Sequence, residues 1–274
     1  MSATHVPEGD SGSRDLRIAV LGKGAIGGPV AAAIKAGHVT GARLVAVVDS
    51  QGVTTPDDSP ISLGELNRRA DLVVEAAGQK VLAEIGPRVI AEGLDLLVLS
   101  IGAMADENLR RTLSSGPGRL YLSTGAIGGL DLLRAVADAG TLEQVTIATT
   151  KQPRTLLQDW MDDEQRAAIL DSSGRTEVLR STPQRVATAF PKSANVAMAV
   201  ATAADDSAKV EAVVYADPTC TVTTHELSVR SSTGNYWFQI KNLPSPDNPA
   251  TSSLVPFAVL RALQDLAGRR ETLI

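Results

Sequence analysis

The chain carries one cysteine, Cys220, so it cannot hold an internal disulfide framework, and that usage suits a reducing cytoplasm. No cation adjoins Cys220, which therefore reads as a small buried residue beside Pro218 rather than as a nucleophile. Positive charge is also short. Lys and Arg total 26 against 31 Asp and Glu, and the net charge of -5 leaves no basic footprint for nucleic acid or an anionic membrane. No apolar run reaches transmembrane length. Residues 1–14 are polar, lack the apolar core of a signal peptide and read as a disordered tail. What is present is 274 residues that are 43% hydrophobic, enough for one large domain or two modest ones.

The most informative stretch is Arg17-Ile-Ala-Val-Leu-Gly22-Lys-Gly24-Ala-Ile-Gly27. An apolar run, Ile18 to Leu21, reads as a buried parallel strand, and helix formers follow from Ala25 to Ile34. Strand, G-x-G-x-x-G and helix together point to dinucleotide binding. Gly22 makes the tight turn, Gly24 admits a pyrophosphate and Gly27 lets helix pack on strand. The pyrophosphate is expected over Gly24, Ala25, Ile26 and Gly27, drawn by the free N–H groups of the helix start. A second strand, Arg43 to Val48, ends in Asp49, about 20 residues past the last glycine. A carboxylate there accepts bonds from the ribose hydroxyls and repels a 2′-phosphate, which favours NAD; Ser50 and Gln51 leave NADP possible. His38, after Gly37 at the helix end, reads as a surface or capping residue.

Gln51 to Pro60 reads as a loop, and Ile61 to Arg69 as a short helix capped near Ser62. Strands at Asp71–Glu75, Leu94–Ser100 and Leu120–Ser123 alternate with helices at 80–92 and 106–114. That alternation predicts an α/β fold with a doubly wound parallel sheet of Rossmann type. The strands end in Ala77-Gly78, Gly102-Ala103 and Thr124-Gly125-Ala126, small residues suited to the ligand crevice at the strands' carboxyl ends. Beyond Gly125 come a helix to Ala139, a half-exposed strand at Val145–Thr150 and helices at 160–170 and 184–190. Strands follow at 209–215, 219–230 and 236–243, and a last helix runs from Ser252 or Ser253 to Ala267. Antiparallel-type strands after a βα alternation indicate a second, α+β domain. Trp160 and Trp237 read as packing residues.

The blocks Val20–Gly27, Leu99–Asp106, Ser123–Asp131, Phe190–Ala197, Ala216–Pro218, His225–Glu226 and Asn248–Ser252 resemble, in this order, the L-aspartate dehydrogenase family. The likeness runs from about Arg17 to Gly268. It implies oxidation of L-aspartate, with NAD or NADP, to iminosuccinate, which hydrolyses to oxaloacetate and ammonia. It implies a Rossmann domain over 15–125, an inserted substrate and dimerisation domain over 126–251, and a C-terminal helix over 252–274 that returns to the Rossmann domain. A homodimer follows from the same likeness. His225 matches the family's catalytic histidine, and Ala126 and Asn195 its NAD contacts; Asn195 could instead cap a helix starting at Val196. An imidazole that titrates near neutrality suits the proton transfers of such a reaction. Lys192, Ser193, Lys151, Thr251 and Ser252 are the candidates to hold the substrate carboxylates, with Arg154 and Ser253 behind them. The chain departs from the family pattern at Ser193, at Thr223 and at Arg180-Ser-Thr-Pro183, so a changed substrate contact is expected between Arg180 and Arg185. Two alternatives stay open: a dehydrogenase or imine reductase of the same fold on another amino acid, and a non-catalytic NAD sensor.

Overall fold

The computed structural model describes residues 15–191, 194–246, 248 and 251–268; the expected tail at 1–14 lies outside them. The apolar run after Asp15 forms β1 (Leu16–Leu21), and α1 (Gly27–Lys35) leads to β2 (Ala42–Asp49). Then come β3 (Gly52–Thr54), β4 (Pro60–Ile61), α2 (Leu63–Arg69), β5 (Leu72–Glu75), α3 (Gln79–Ala91), β6 (Asp95–Val98), α4 (Glu107–Ser114) and β7 (Leu120–Leu122). These strands build a seven-stranded sheet in the order β4-β3-β2-β1-β5-β6-β7. Its strands from β2 through β7 run parallel, while β3 and β4 add antiparallel to the β2 edge. The segment expected as a plain loop after Asp49 is therefore a short hairpin-like extension. Gly52, with φ +133, lets the chain reverse there.

α2 starts as its sequence suggests. The Ser62 hydroxyl accepts from the Glu65 N–H, and the Glu65 carboxylate accepts from the Ser62 N–H. Asp106 likewise caps α4.

The second half supplies α5 (Leu130–Asp138), β8 (Leu142–Lys151), α6 (Asp163–Leu170), β9 (Thr176–Ser181), α7 (Pro183–Ala189), α8 (Ala194–Ala204), β10 (Val210–Ala216), β11 (Thr223–Ser231), β12 (Gly234–Asn242) and α9 (Val255–Leu266). The five-stranded second sheet has the order β12-β11-β8-β10-β9. It is mixed rather than antiparallel throughout, because β8 and β10 run parallel. β8 was expected to expose one face, yet it is the central strand, with Ala148, Thr149 and Thr150 all buried. The helix expected over 160–170 begins only at Asp163, where Asp162 and Gln165 form a capping box. Trp160 lies before it, its indole N–H donating to the Ala189 carbonyl and its ring edge-on to Phe190.

Alternate side chains of β1 divide the core. Ile18 and Val20 pack with Val30 and Ile34 of α1 and with Val259 and Leu263 of α9. Ala19 and Leu21 join the larger cluster that continues into the second sheet through α8. α8 is buried on nearly every side, as an apolar helix between two layers must be. α9 thus covers this face of the first sheet beside α1.

Candidate active site

Each of the five parallel strands of the first sheet hands its chain to a turn at the same edge. At the β1 exit Gly22 has φ +101, and a Cβ there would come within 2.5 Å of the Ala76 carbonyl oxygen. A Cβ on Gly27 would lie 2.1 Å from the Gly22 oxygen, so helix and strand meet only because both are glycine. A Cβ on Gly24 would meet nothing within 4 Å: the backbone there borders open space, the shape a pyrophosphate needs. α1 begins at Gly27, later than expected, so Ala25 and Ile26 belong to the turn itself. Asp49 ends β2 with its Oδ1 accepting from the Gln51 N–H at 2.8 Å.

Glu75 ends β5 with a relative exposure of 0%. Its carboxylate accepts from the Ala77 and Gly78 N–H groups at 2.9 Å, the Ser100 N–H at 3.0 Å and the Ser100 hydroxyl at 2.9 Å. The Leu99 N–H adds a longer contact of 3.3 Å. One side chain thereby fixes the exit turns of both β5 and β6.

Next to these turns a cleft of about 330 Å³ opens between the two sheets. Leu99, Ile101, Ser123, Thr124 and Ala126 line it from the first sheet's edge, with Ile26 of the glycine turn. Lys151, Thr221, Thr223, His225 and Asn242 line it from the second sheet. Asn195 of α8 and the segment holding Thr251, Ser252 and Val255 complete the wall.

His225 faces Thr149 across the antiparallel β8–β11 pair, with Nδ1 3.0 Å from the Thr149 hydroxyl. A hydroxyl both donates and accepts, so it can partner Nδ1 whichever ring nitrogen holds the proton. Among the described residues Nε2 has no hydrogen-bond partner and is the nitrogen left for the cleft. The ring is only 7% exposed. That burial, and then the positive charge of Lys151, push its pKa down to about 4. The imidazole is therefore neutral at pH 7.

Of the residues singled out from sequence, Ile26, Ala126, Lys151, Asn195, Thr251, Ser252 and His225 meet at this cleft. Gly22, Gly24, Ala25, Gly27, Asp49 and Ala77 lie outside its lining, on the turns of the same sheet edge. Gly102 and Ala103 are buried and do not line it; their neighbours Leu99 and Ile101 do. Gly102 is small for a packing reason, since a Cβ would sit 2.5 Å from the Ala194 Cβ. Asn195 lies inside α8 and does not cap it. Its Oδ1 accepts from the Gly102 N–H at 2.9 Å, tying α8 to the β6 exit. Arg154 is exposed and outside the cleft, and Arg180 is bound to Glu177 and Glu211 on the edge of the second sheet. Lys192 and Ser193 lie outside the described residues. Cys220, expected to be buried, is only half-buried, its thiol turned onto the Val222 carbonyl at 2.6 Å. The sequence reading missed Glu75 and Thr149. The first carried a signal, a carboxylate closing an apolar strand; the second carried none.

Residues 131–266 match the family model described as aspartate dehydrogenase, C-terminal, and residues 22–116 match homoserine dehydrogenase, NAD binding domain. The L-aspartate dehydrogenase of Methanosarcina acetivorans is 32% identical, over 92% of this chain and 97% of the relative. That of Ruegeria pomeroyi is 36% identical over 94% of each. The chain belongs to the L-aspartate dehydrogenase family. An L-aspartate dehydrogenase family member is expected to share a fold with the crystal structure of aspartate dehydrogenase from Thermotoga maritima, and it does. The TM-score is 0.75 at 24% identity, covering 94% of this chain and 99% of that one. The N-terminal sheet of this family member is an NAD-binding domain of Rossmann type, beside a second, mixed sheet. Among the described residues no helix is long and apolar enough to cross a membrane.

Proposed function

We propose that the protein oxidises L-aspartate with NAD(P) to iminosuccinate, or runs the reverse reductive amination. The observation that carries this is the meeting, in one cleft, of a buried neutral imidazole with Lys151 and the exit turns of a dinucleotide-binding sheet. The open space at Gly24 and the start of α1 fit a pyrophosphate, and Asp49 fits the adenosine ribose hydroxyls. Leu99, Ile101, Ala126 and Asn195 would border the nicotinamide, which when bound accepts a hydride from the substrate Cα. Lys151, Thr251 and Ser252 hold the substrate carboxylates, with Lys192 and Ser193 kept as the further candidates. His225 takes the proton that the substrate ammonium must lose, passes it to solvent, and then, neutral again, takes a proton from the water that adds to the imine. A dianionic substrate beside Lys151 offsets the smaller of the two causes that depress the imidazole, the Lys151 charge, while burial, the larger, stays in place.

We also assign 15–125 to the cofactor domain, 126–251 to the substrate and dimerisation domain and 252–274 to the closing helix. The proposed homodimer is supported by the open face of the second sheet, where Trp237 is 61% exposed. Sedimentation returning a monomer mass would remove it. A cytoplasmic location fits the single cysteine, and cell fractionation checks it.

The test is cofactor reduction over a panel of amino acids, each with NAD and with NADP. L-Aspartate is expected to give the highest kcat/KM, with NAD preferred through Asp49. Preference for another amino acid would move the substrate assignment. Cofactor binding without turnover on any of them would make the protein a sensor.

A further inference from the structure

Glu75 is a fully buried side chain whose backbone partners are all donors, which requires both oxygens as acceptors, as in an ionised carboxylate. Among the described residues it has no ion-pair partner, so its charge is compensated by N–H and O–H dipoles alone. Such a charge is costly to bury, and its field is little screened by water. Its position is specific. Ala76 beside it abuts the glycine turn, and Leu99, whose N–H it holds, lines the cleft.

We propose that Glu75 is a positioning residue that fixes two cofactor-binding turns and lays a negative charge beneath the nicotinamide end of the crevice, thereby favouring oxidised over reduced cofactor. The inference rests on the NAD(P) assignment above. The oxidised nicotinamide ring is cationic and the reduced ring is neutral. A fixed anion attracts the first and is nearly indifferent to the second, a difference that a rigid wall of hydrogen bonds alone would not make.

The test is to titrate NAD+ and NADH separately into the wild type, Glu75→Gln and Ser100→Ala, and to compare the ratio Kd(NADH)/Kd(NAD+). Glu75→Gln removes the charge, and the ratio is expected to fall roughly ten- to a hundredfold, the effect of one unit charge over about 6–12 Å at an effective dielectric of about 20. Ser100→Ala removes a neutral donor and leaves the anion less compensated, so the ratio is expected to rise. This second variant keeps the charge and the backbone donors, so it decides the matter if Glu75→Gln fails to fold. A purely structural Glu75 would weaken both ligands alike and leave the ratio unchanged in either variant, which would overturn the electrostatic role. A wild type that binds neither nucleotide would overturn the cofactor assignment itself.

Discussion

His225 holds its neutral form because the protein makes protonation expensive, and that cost shows in stability. The native ring takes up a proton only near pH 4, whereas the unfolded one does so at 6.5. Between those values the unfolded chain binds the extra proton. Stability therefore falls as pH drops through this window, by roughly 3 kcal/mol in all, and the contribution is intact above the unfolded value. The exposed carboxylates with lowered pKa, Glu65 and Glu177 among them, lose their contributions lower, below their unfolded value of 4.5. Denaturant midpoints measured from pH 6.5 to 5 thus isolate the histidine. His225→Gln is expected to flatten the slope there, and an unchanged slope would show that the ring is not what titrates. The His225 position was legible because it sits in a recognisable block. Its partner was not: Thr149 is 76 residues away in sequence, and only the β8–β11 register brings the two together.

Among the elements, the glycine turn makes the sharpest separation between folding and binding. Gly24→Ala adds a methyl to open space, so the unfolding midpoint should hold while NAD affinity falls. Gly27→Ala drives a Cβ to 2.1 Å from the Gly22 oxygen, so the midpoint itself should drop. Thermal melts with and without NAD distinguish the two, and a Gly24→Ala protein that binds NAD like the wild type would contradict the cradle. The alternating βα pattern from Ile18 to Leu122 could be read directly, since each buried strand is a short apolar run closed by small residues. β9 could not. Thr176–Ser181 is a polar edge strand whose Arg180 and Glu177 pair with each other, so it carries no apolar alternation to betray it. The parallel β8–β10 pair was hidden too, because strand direction depends on the path of the intervening chain through α6, β9, α7 and α8.

Taken whole, the molecule makes its site from parts far apart in the chain. The first sheet offers turns that fit a dinucleotide, the second offers Lys151 and His225, and α8 ties the two through Asn195 and Gly102. α9 then returns to the first sheet with Val259 and Leu263 fully buried. Neither sheet alone would place an imidazole beside the cofactor turns. The decisive measurement is the rate of NADH formation from L-aspartate and NAD by His225→Ala beside the wild type, with NAD affinity titrated on the same preparations. The expected result is a fall in kcat of ~10²–10⁴-fold with the Kd for NAD little changed. A variant that still turns over L-aspartate at the wild-type rate would contradict the assignment of the proton transfer to His225, and with it the proposed chemistry of the cleft.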